Sequence, residues 1–208
     1  MLTPEIALSF FGVAVLLALA PGPDNLFVLM QSAIWGRTSG LLVVLGLCTG
    51  LIGHTVAVTA GLAAVVAASA TAFTVLKLLG AAYLLYLAWG AFRSQGHAHS
   101  EQSPTPLGPW ALYRRGIIMN LANPKVSLFF LAFLPQFTSP ERGAIALQTL
   151  SLGGLFMLAT LLVFGLVAWF AGALGQRMQR SPSAQIILHR VAGLIFLGLA
   201  IKLALSNR

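Results

Sequence analysis

The sequence predicts an all-α integral membrane protein: six transmembrane helices arranged as two inverted three-helix repeats, with spans one and four broken at proline-containing motifs. Three observations carry that prediction. Only 8% of the 208 residues are charged and 58% are hydrophobic, against about 25% charged in a typical soluble domain. Twelve basic and four acidic side chains cannot cover a water-facing globule, yet they suffice for the loops of a chain whose surface is mostly lipid. Six apolar runs are each long enough for a helix that crosses a bilayer, which takes roughly 20 residues. Finally, two proline motifs stand at matching places in the two halves.

The runs cover 6–34, 41–68, 73–92, 116–137, 144–174 and 186–205. They are apolar around the whole circumference, whereas the strands of a membrane barrel would alternate in segments of about ten residues. Helices follow. The first run passes through Ala18-Leu19-Ala20, which has the form of a signal-peptide cleavage site. No Lys or Arg precedes it and Pro21 would follow the cut, so the segment reads as the first half of a retained span. Gly46 and Gly50, four apart, and Gly153 and Gly154 are small residues of the kind that let membrane helices approach closely.

Between the third and fourth runs lies the longest polar stretch, 93–115, with His97, His99, Glu101, Ser103, Pro104 and Pro106. Its composition is that of a flexible linker, dividing one membrane domain, 1–208, into repeats at 1–92 and 116–208. Two histidines with no cysteine and one weak acidic neighbour make a poor metal site, and no metal or other cofactor is expected. Cys48 is the single cysteine and lies in an apolar run, which excludes an intrachain disulfide and a redox thiol pair. The net charge of +8 does not point to nucleic acid, because the cations sit singly or in pairs between apolar runs instead of clustering on one face. They set the orientation instead. Arg37, Arg93, Arg114, Arg115, Arg177, Arg180 and Arg190 fall on one side, and Lys77, Arg142, Lys202 and Arg208 on the other. The richer side is expected in the cytoplasm, which puts both termini outside; Lys125 is set apart as a site candidate. Trp35, Trp89, Trp110 and Trp169 suit interfaces or packing within the bundle.

The repeat is the most informative feature. Leu19-Ala20-Pro21-Gly22-Pro23-Asp24 in the first span corresponds to Met119-Asn120-Leu121-Ala122-Asn123-Pro124-Lys125 in the fourth, aligning Pro23 with Pro124 and Asp24 with Lys125. Each is followed by an apolar stretch, a glycine-containing turn with an arginine, and a long glycine-rich span. Three spans per half is an odd number, so the halves lie in the membrane with opposite topology. Proline in a helix interior removes a hydrogen bond and clashes with the preceding turn, costing about 3 kcal/mol. Pro21, Gly22 and Pro23 are therefore expected to break span one, and Asn123-Pro124 to break or kink span four. Pro23 and Pro124 suit the first position of a new half-helix, with Gly22 and Asn123 as caps. Broken backbone inside a membrane is tolerated where protein or water covers it, so two matched breaks point to a central binding site. The competing reading is that the prolines only bend helices. Against it stands Asp24, the one acid far from a helix end, since an ionised carboxylate costs roughly 2.5 to 3.5 kcal/mol at a helix centre on insertion scales.

Taken together, Ala20-Pro21-Gly22-Pro23-Asp24, Gly36-Arg37 with Gly40, the stretch from Gly46 to His54, Leu76 to Leu84 around Lys77, and Asn120, Asn123-Pro124-Lys125 through Phe129-Phe130 to Leu134-Pro135-Gln136-Phe137 resemble the LysE/RhtB family of bacterial amino-acid exporters over almost the whole chain. The resemblance implies a multi-pass protein of the bacterial inner membrane that exports amino acids or their derivatives by proton antiport, with protons and lipid as its other partners. A homo-oligomer is left open, as is the identity of the substrate. An exporter of another small solute such as a cation is the alternative, but only Asp24 and His54 would serve it inside the spans. No motif of nucleophile, base and orienter supports an enzyme.

The expected site lies between the two broken helices. Asp24 would hold the substrate ammonium, and Lys125 with a half-helix N-terminus its carboxylate, with Asn25, Asn120 and Asn123 as hydrogen-bonding residues. Asp24 and Lys125 are expected to pair before substrate binds. Asp24 and His54 are the candidates for proton coupling, since a desolvated carboxylate or an imidazole can titrate near neutral pH. For His54 the competing role is a hydrogen bond to a neighbouring helix, and for Lys77 it is a side chain that reaches the interface.

Overall fold

The computed structural model describes residues 2–20, 22–68, 70–93, 107–180 and 182–205, and among these all regular structure is helical. Pro21 and the pair His97 and His99 lie outside the described residues, as does the side chain of Lys77.

The chain enters helix α1, Pro4–Leu19, with Pro4 in the first turn and the Thr3 hydroxyl accepting from the Ile6 N–H at 3.5 Å. Helix α2, Pro23–Trp35, opens on Pro23 after Gly22 and is turned by 64° from α1. Both starts use the rule that proline costs nothing where the N–H would be unpaired anyway. Two long helices follow, α3 at Arg37–Ala68 and α4 at Ala70–Arg93.

The second half opens the same way. Helix α5, Pro109–Leu121, starts on Pro109 after Gly108, so the C-terminal part of the stretch expected to be linker is helical. Asn123 then caps the short helix α6, Pro124–Leu128. A π-helical segment, Phe129–Phe133, and a 3₁₀ turn, Leu134–Phe137, extend it, and this whole unit bends by 47° from α5. The sequence did not announce that change of winding. Its cause is Pro135, which has no N–H for the Leu131 carbonyl and whose ring would strike it in a regular helix. After a 3₁₀ turn at Pro140–Arg142 come α7, Ile145–Arg180, and α8, Pro182–Leu205.

Arg37–Gly61 within α3 and Ile145–Ala171 within α7 are long and apolar enough to cross a membrane, and the two bent pairs raise the candidates to four. Helices α4 and α8, 24 residues each, pack chiefly on one another. Helix α3 lies between α5 and α7, and α7 in turn packs on α1 and α2. The α3–α5 crossing is backbone against backbone: a Cβ on Gly46 would strike the Tyr113 carbonyl, and one on Gly116 the Val43 carbonyl. Gly153 similarly makes room for Thr55, whereas Gly154 faces open space.

Two apolar clusters flank the breaks. One is built on phenylalanines: Phe10 of α1, Phe129, Phe130 and Phe133 of the π segment, Phe137 and Phe156 are all buried, with neighbouring ring centroids 5.0 to 6.5 Å apart. The other joins Val28 of α2, Val43 and Leu47 of α3, and Val163 and Phe164 of α7. At the junction of α2 and α3 the Arg37 guanidinium lies 4.4 Å over the Trp169 ring, and Arg115 lies 4.7 Å over Phe27. Such contacts let cations sit beside apolar surface.

Candidate functional site

A helix that stops in a buried, apolar setting leaves its last carbonyls and its successor's first N–H groups without partners. Most of the polar chemistry around the two breaks follows from that. The Asn25 amide donates to the Ala18 carbonyl at 2.7 Å, and the Lys125 ammonium to the carbonyls of Leu17 and Ala20 at 3.3 and 3.2 Å. Three residues at the C-terminal end of α1 are thus capped by side chains from α2 and α6. The negative end of the α1 dipole also favours a cation there. Asp24 stands in the first turn of α2, where the opposite end of a dipole favours an anion.

Asn123 joins the two breaks. Its Oδ1 accepts from the Lys125 backbone N–H at 3.0 Å, capping α6, while its Nδ2 donates to Asp24 Oδ2 at 2.7 Å. One planar amide therefore fixes the geometry of both half-helices. The amide of Asn123, not the ammonium of Lys125, is what the Asp24 carboxylate holds. The α6 N-terminus is occupied by its own cap.

Asp24, Asn120, Asn123 and Lys125 are all buried, with between 2% and 6% of their surface exposed. Three of them, Asp24, Asn120 and Lys125, line one small cavity at the junction of α1, α2, α5, α6 and α7. Its volume, about 10 Å³, is that of a single water. Two of its lining residues carry a buried acceptor with no hydrogen-bond partner, Asp24 Oδ1 and Asn120 Oδ1, the latter turned against Gly50 of α3. Asn120 is held close to α3 at Gly50, where a Cβ would come within 2.7 Å of the Asn120 Cβ. An ammonium has three donors, so the two carbonyls leave Lys125 with one more to give.

The other sequence candidates stand around this core. Asn25 and Asn123 brace the breaks without lining the cavity. Pro23 and Pro124 begin α2 and α6, with Gly22 and Asn123 in the cap positions. His54, half-buried on α3, has its Nε2 3.1 Å from the Asn120 carbonyl and its ring 5.7 Å from that of Phe130. It thus meets the C-terminal end of α5, one residue's backbone away from the cavity. Sequence reasoning missed the wall that α7 contributes, Phe156, Thr160 and Phe164. Their spacing of four on one helix was visible, but Phe and Thr are ordinary in a membrane helix and gave no reason to single them out.

Apolar helices of spanning length, bent at two breaks whose buried polar groups converge, define a multi-pass membrane protein with an internal polar site. The chain belongs to the LysE type translocator family, whose family model matches residues 8–207. It is 34% identical over 209 residues to a protein of Vibrio cholerae named only as an uncharacterized membrane protein, covering 98% of each chain. It is 31% identical to the leucine efflux protein of Salmonella choleraesuis, over 92% of this chain and 91% of that one. The homoserine/homoserine lactone efflux protein of Salmonella typhimurium is also 31% identical, over 94% of both chains. No solved structure matches the chain.

Proposed function

We propose that the protein is a secondary transporter of the bacterial inner membrane that exports amino acids or their derivatives by proton antiport. The binding site is the cavity between the broken helices. The observation that carries this reading is the complementarity of the residues lining the cavity: the Asp24 carboxylate and the Asn120 amide, each with a buried acceptor that has no partner, and the Lys125 ammonium with a donor to spare. A zwitterion supplies an ammonium for the first two and a carboxylate for the third. The names of the leucine and homoserine efflux relatives support the same class of cargo.

A cavity that holds one water admits no amino acid, so transport requires the half-helices to move apart, first toward one side and then the other. Six spans in two inverted repeats would supply the hinge. Part of the packing supports the repeat: α3 lies on α5 as α7 lies on α1, while α3 pairs with α7 and α4 with α8; the packing of α2 on α3 and α7 has no equivalent at α6 among the described residues. Asp24 is the first candidate for the group that exchanges its proton for substrate, because the ammonium and the proton compete for the same carboxylate. His54, in contact with the Asn120 carbonyl, is the second.

The test is counterflow in proteoliposomes preloaded with unlabelled amino acids, with and without a pH gradient. Preloaded leucine or homoserine is expected to stimulate uptake of its labelled form, and an imposed gradient to drive accumulation. Failure of an imposed gradient to drive accumulation in vesicles that show counterflow would remove the proton from the mechanism.

A further inference from the structure

We infer that one face of α7, carrying Phe156, Thr160 and Phe164, is the wall that selects the substrate's side chain, and that it takes a small uncharged one, aliphatic or hydroxylated. This rests on the amino-acid site proposed above and goes on to say what the rest of that site reads.

Residues four apart on a helix share a face. Phe156, Thr160 and Phe164 are 4%, 2% and 5% exposed, and all three border the cavity that holds Asp24, Asn120 and Lys125. Once the two charged residues are engaged with the substrate's own ammonium and carboxylate, no ionisable group remains in the lining. Beside the α7 face it consists of Leu17, Ala18, Val126 and the Asn120 amide. A lysine or glutamate side chain would bring a charge into this site with no counter-ion, which a water-excluding site strongly disfavours.

The wall is also braced. The Phe156 ring packs edge-on against Phe130 at 5.2 Å and tilts against Phe129 at 5.3 Å, so it cannot swing away without disturbing the π segment. Its ring therefore bounds the α7 side of the space that opens when the half-helices part. Thr160, one turn along, carries the single hydroxyl of the lining. An apolar pocket discriminates weakly against an isostere with an added hydroxyl, so a group that hydrogen-bonds that hydroxyl decides the preference.

The experiment compares counterflow of labelled leucine and labelled homoserine in the wild type, Thr160→Val, Thr160→Ser, Phe156→Ala and Asp24→Asn, each first shown to be monodisperse by size exclusion. In the wild type, preloaded lysine and glutamate are expected not to stimulate uptake. Thr160→Val should lower the homoserine-to-leucine ratio about tenfold, the worth of one hydrogen bond, and Thr160→Ser should restore it. Phe156→Ala should let preloaded phenylalanine stimulate, which reads the wall even if only aliphatic substrates move. A ratio unchanged in Thr160→Val together with exclusion of phenylalanine by Phe156→Ala would overturn the wall, as would stimulation by lysine equal to that by leucine. If Asp24→Asn is inactive while these ratios stay at wild-type values, the wall fails and the site stands. If no amino acid stimulates the wild type, the site reading fails and takes the wall with it.

Discussion

Asn123 joins the two breaks directly, because one amide caps α6 and holds the Asp24 carboxylate. Asn123→Ala removes an N-cap, which costs about 1 kcal/mol. It also leaves a buried carboxylate oxygen without its donor, which costs about 1–3 kcal/mol more. The variant should melt several degrees lower in detergent, and a wild-type melting temperature would show the bridge to be idle. Asn123→Asp keeps an acceptor for the cap but sets a second carboxylate against Asp24, so its counterflow should collapse through repulsion at hydrogen-bonding distance. Asp24, Asn120 and Lys125 were legible because polar groups stand out in apolar runs and because the repeat aligned two of them. Their partners were less so. An opposite pair at matched positions suggested that Asp24 would pair with Lys125, yet the broken backbone has stronger claims: the ammonium serves α1 carbonyls and the carboxylate takes an amide.

Among the helices, the α3–α5 crossing is one of the contacts that join the second half to the first, beside α4 on α8 and α7 on α1, α2 and α3, and it is the one made backbone against backbone. Gly46→Ala forces α3 away from the Tyr113 carbonyl of α5, a rigid neighbour, and overpacking of this kind typically costs 1–3 kcal/mol. Gly154→Ala, with nothing within 4 Å, should leave stability within about 0.5 kcal/mol of the parent. Equal melting temperatures for the two variants would mean that the crossing tolerates a wider spacing. Helix starts were readable at Pro23 and Pro124 because proline fits the first turn and little else in a helix. The π segment was not. Its residues, Phe129 to Phe133, contain no breaker, and the cause lies downstream at Pro135, whose effect falls on the carbonyl four residues before it. The helical start at Pro109 was hidden for another reason, since the polar, proline-containing stretch with His97, Glu101, Ser103, Pro104 and Pro106 runs straight into it and made 93–115 read as one linker.

For the molecule as a whole, the membrane class followed from composition, because so few charges cannot cover a water-facing surface, and the helices followed from the continuous apolar runs. The inverted repeat is a proposal that rests on an ordered but weak correspondence of motifs and on part of the helix packing. Its orientation is testable by itself: with six spans and the arginine-rich loops inside, a reporter fused after Arg208 should be active on the outer face. Cytoplasmic activity would require an odd number of crossings or the opposite orientation. The most direct test of the central claim, that one carboxylate between two broken helices holds the cargo, is leucine and homoserine counterflow by wild type, Asp24→Glu and Asp24→Asn in parallel proteoliposomes. Strong stimulation by preload is expected in the wild type, a reduced but measurable signal in Asp24→Glu, and none in Asp24→Asn. Counterflow by Asp24→Asn at the wild-type rate would contradict that claim.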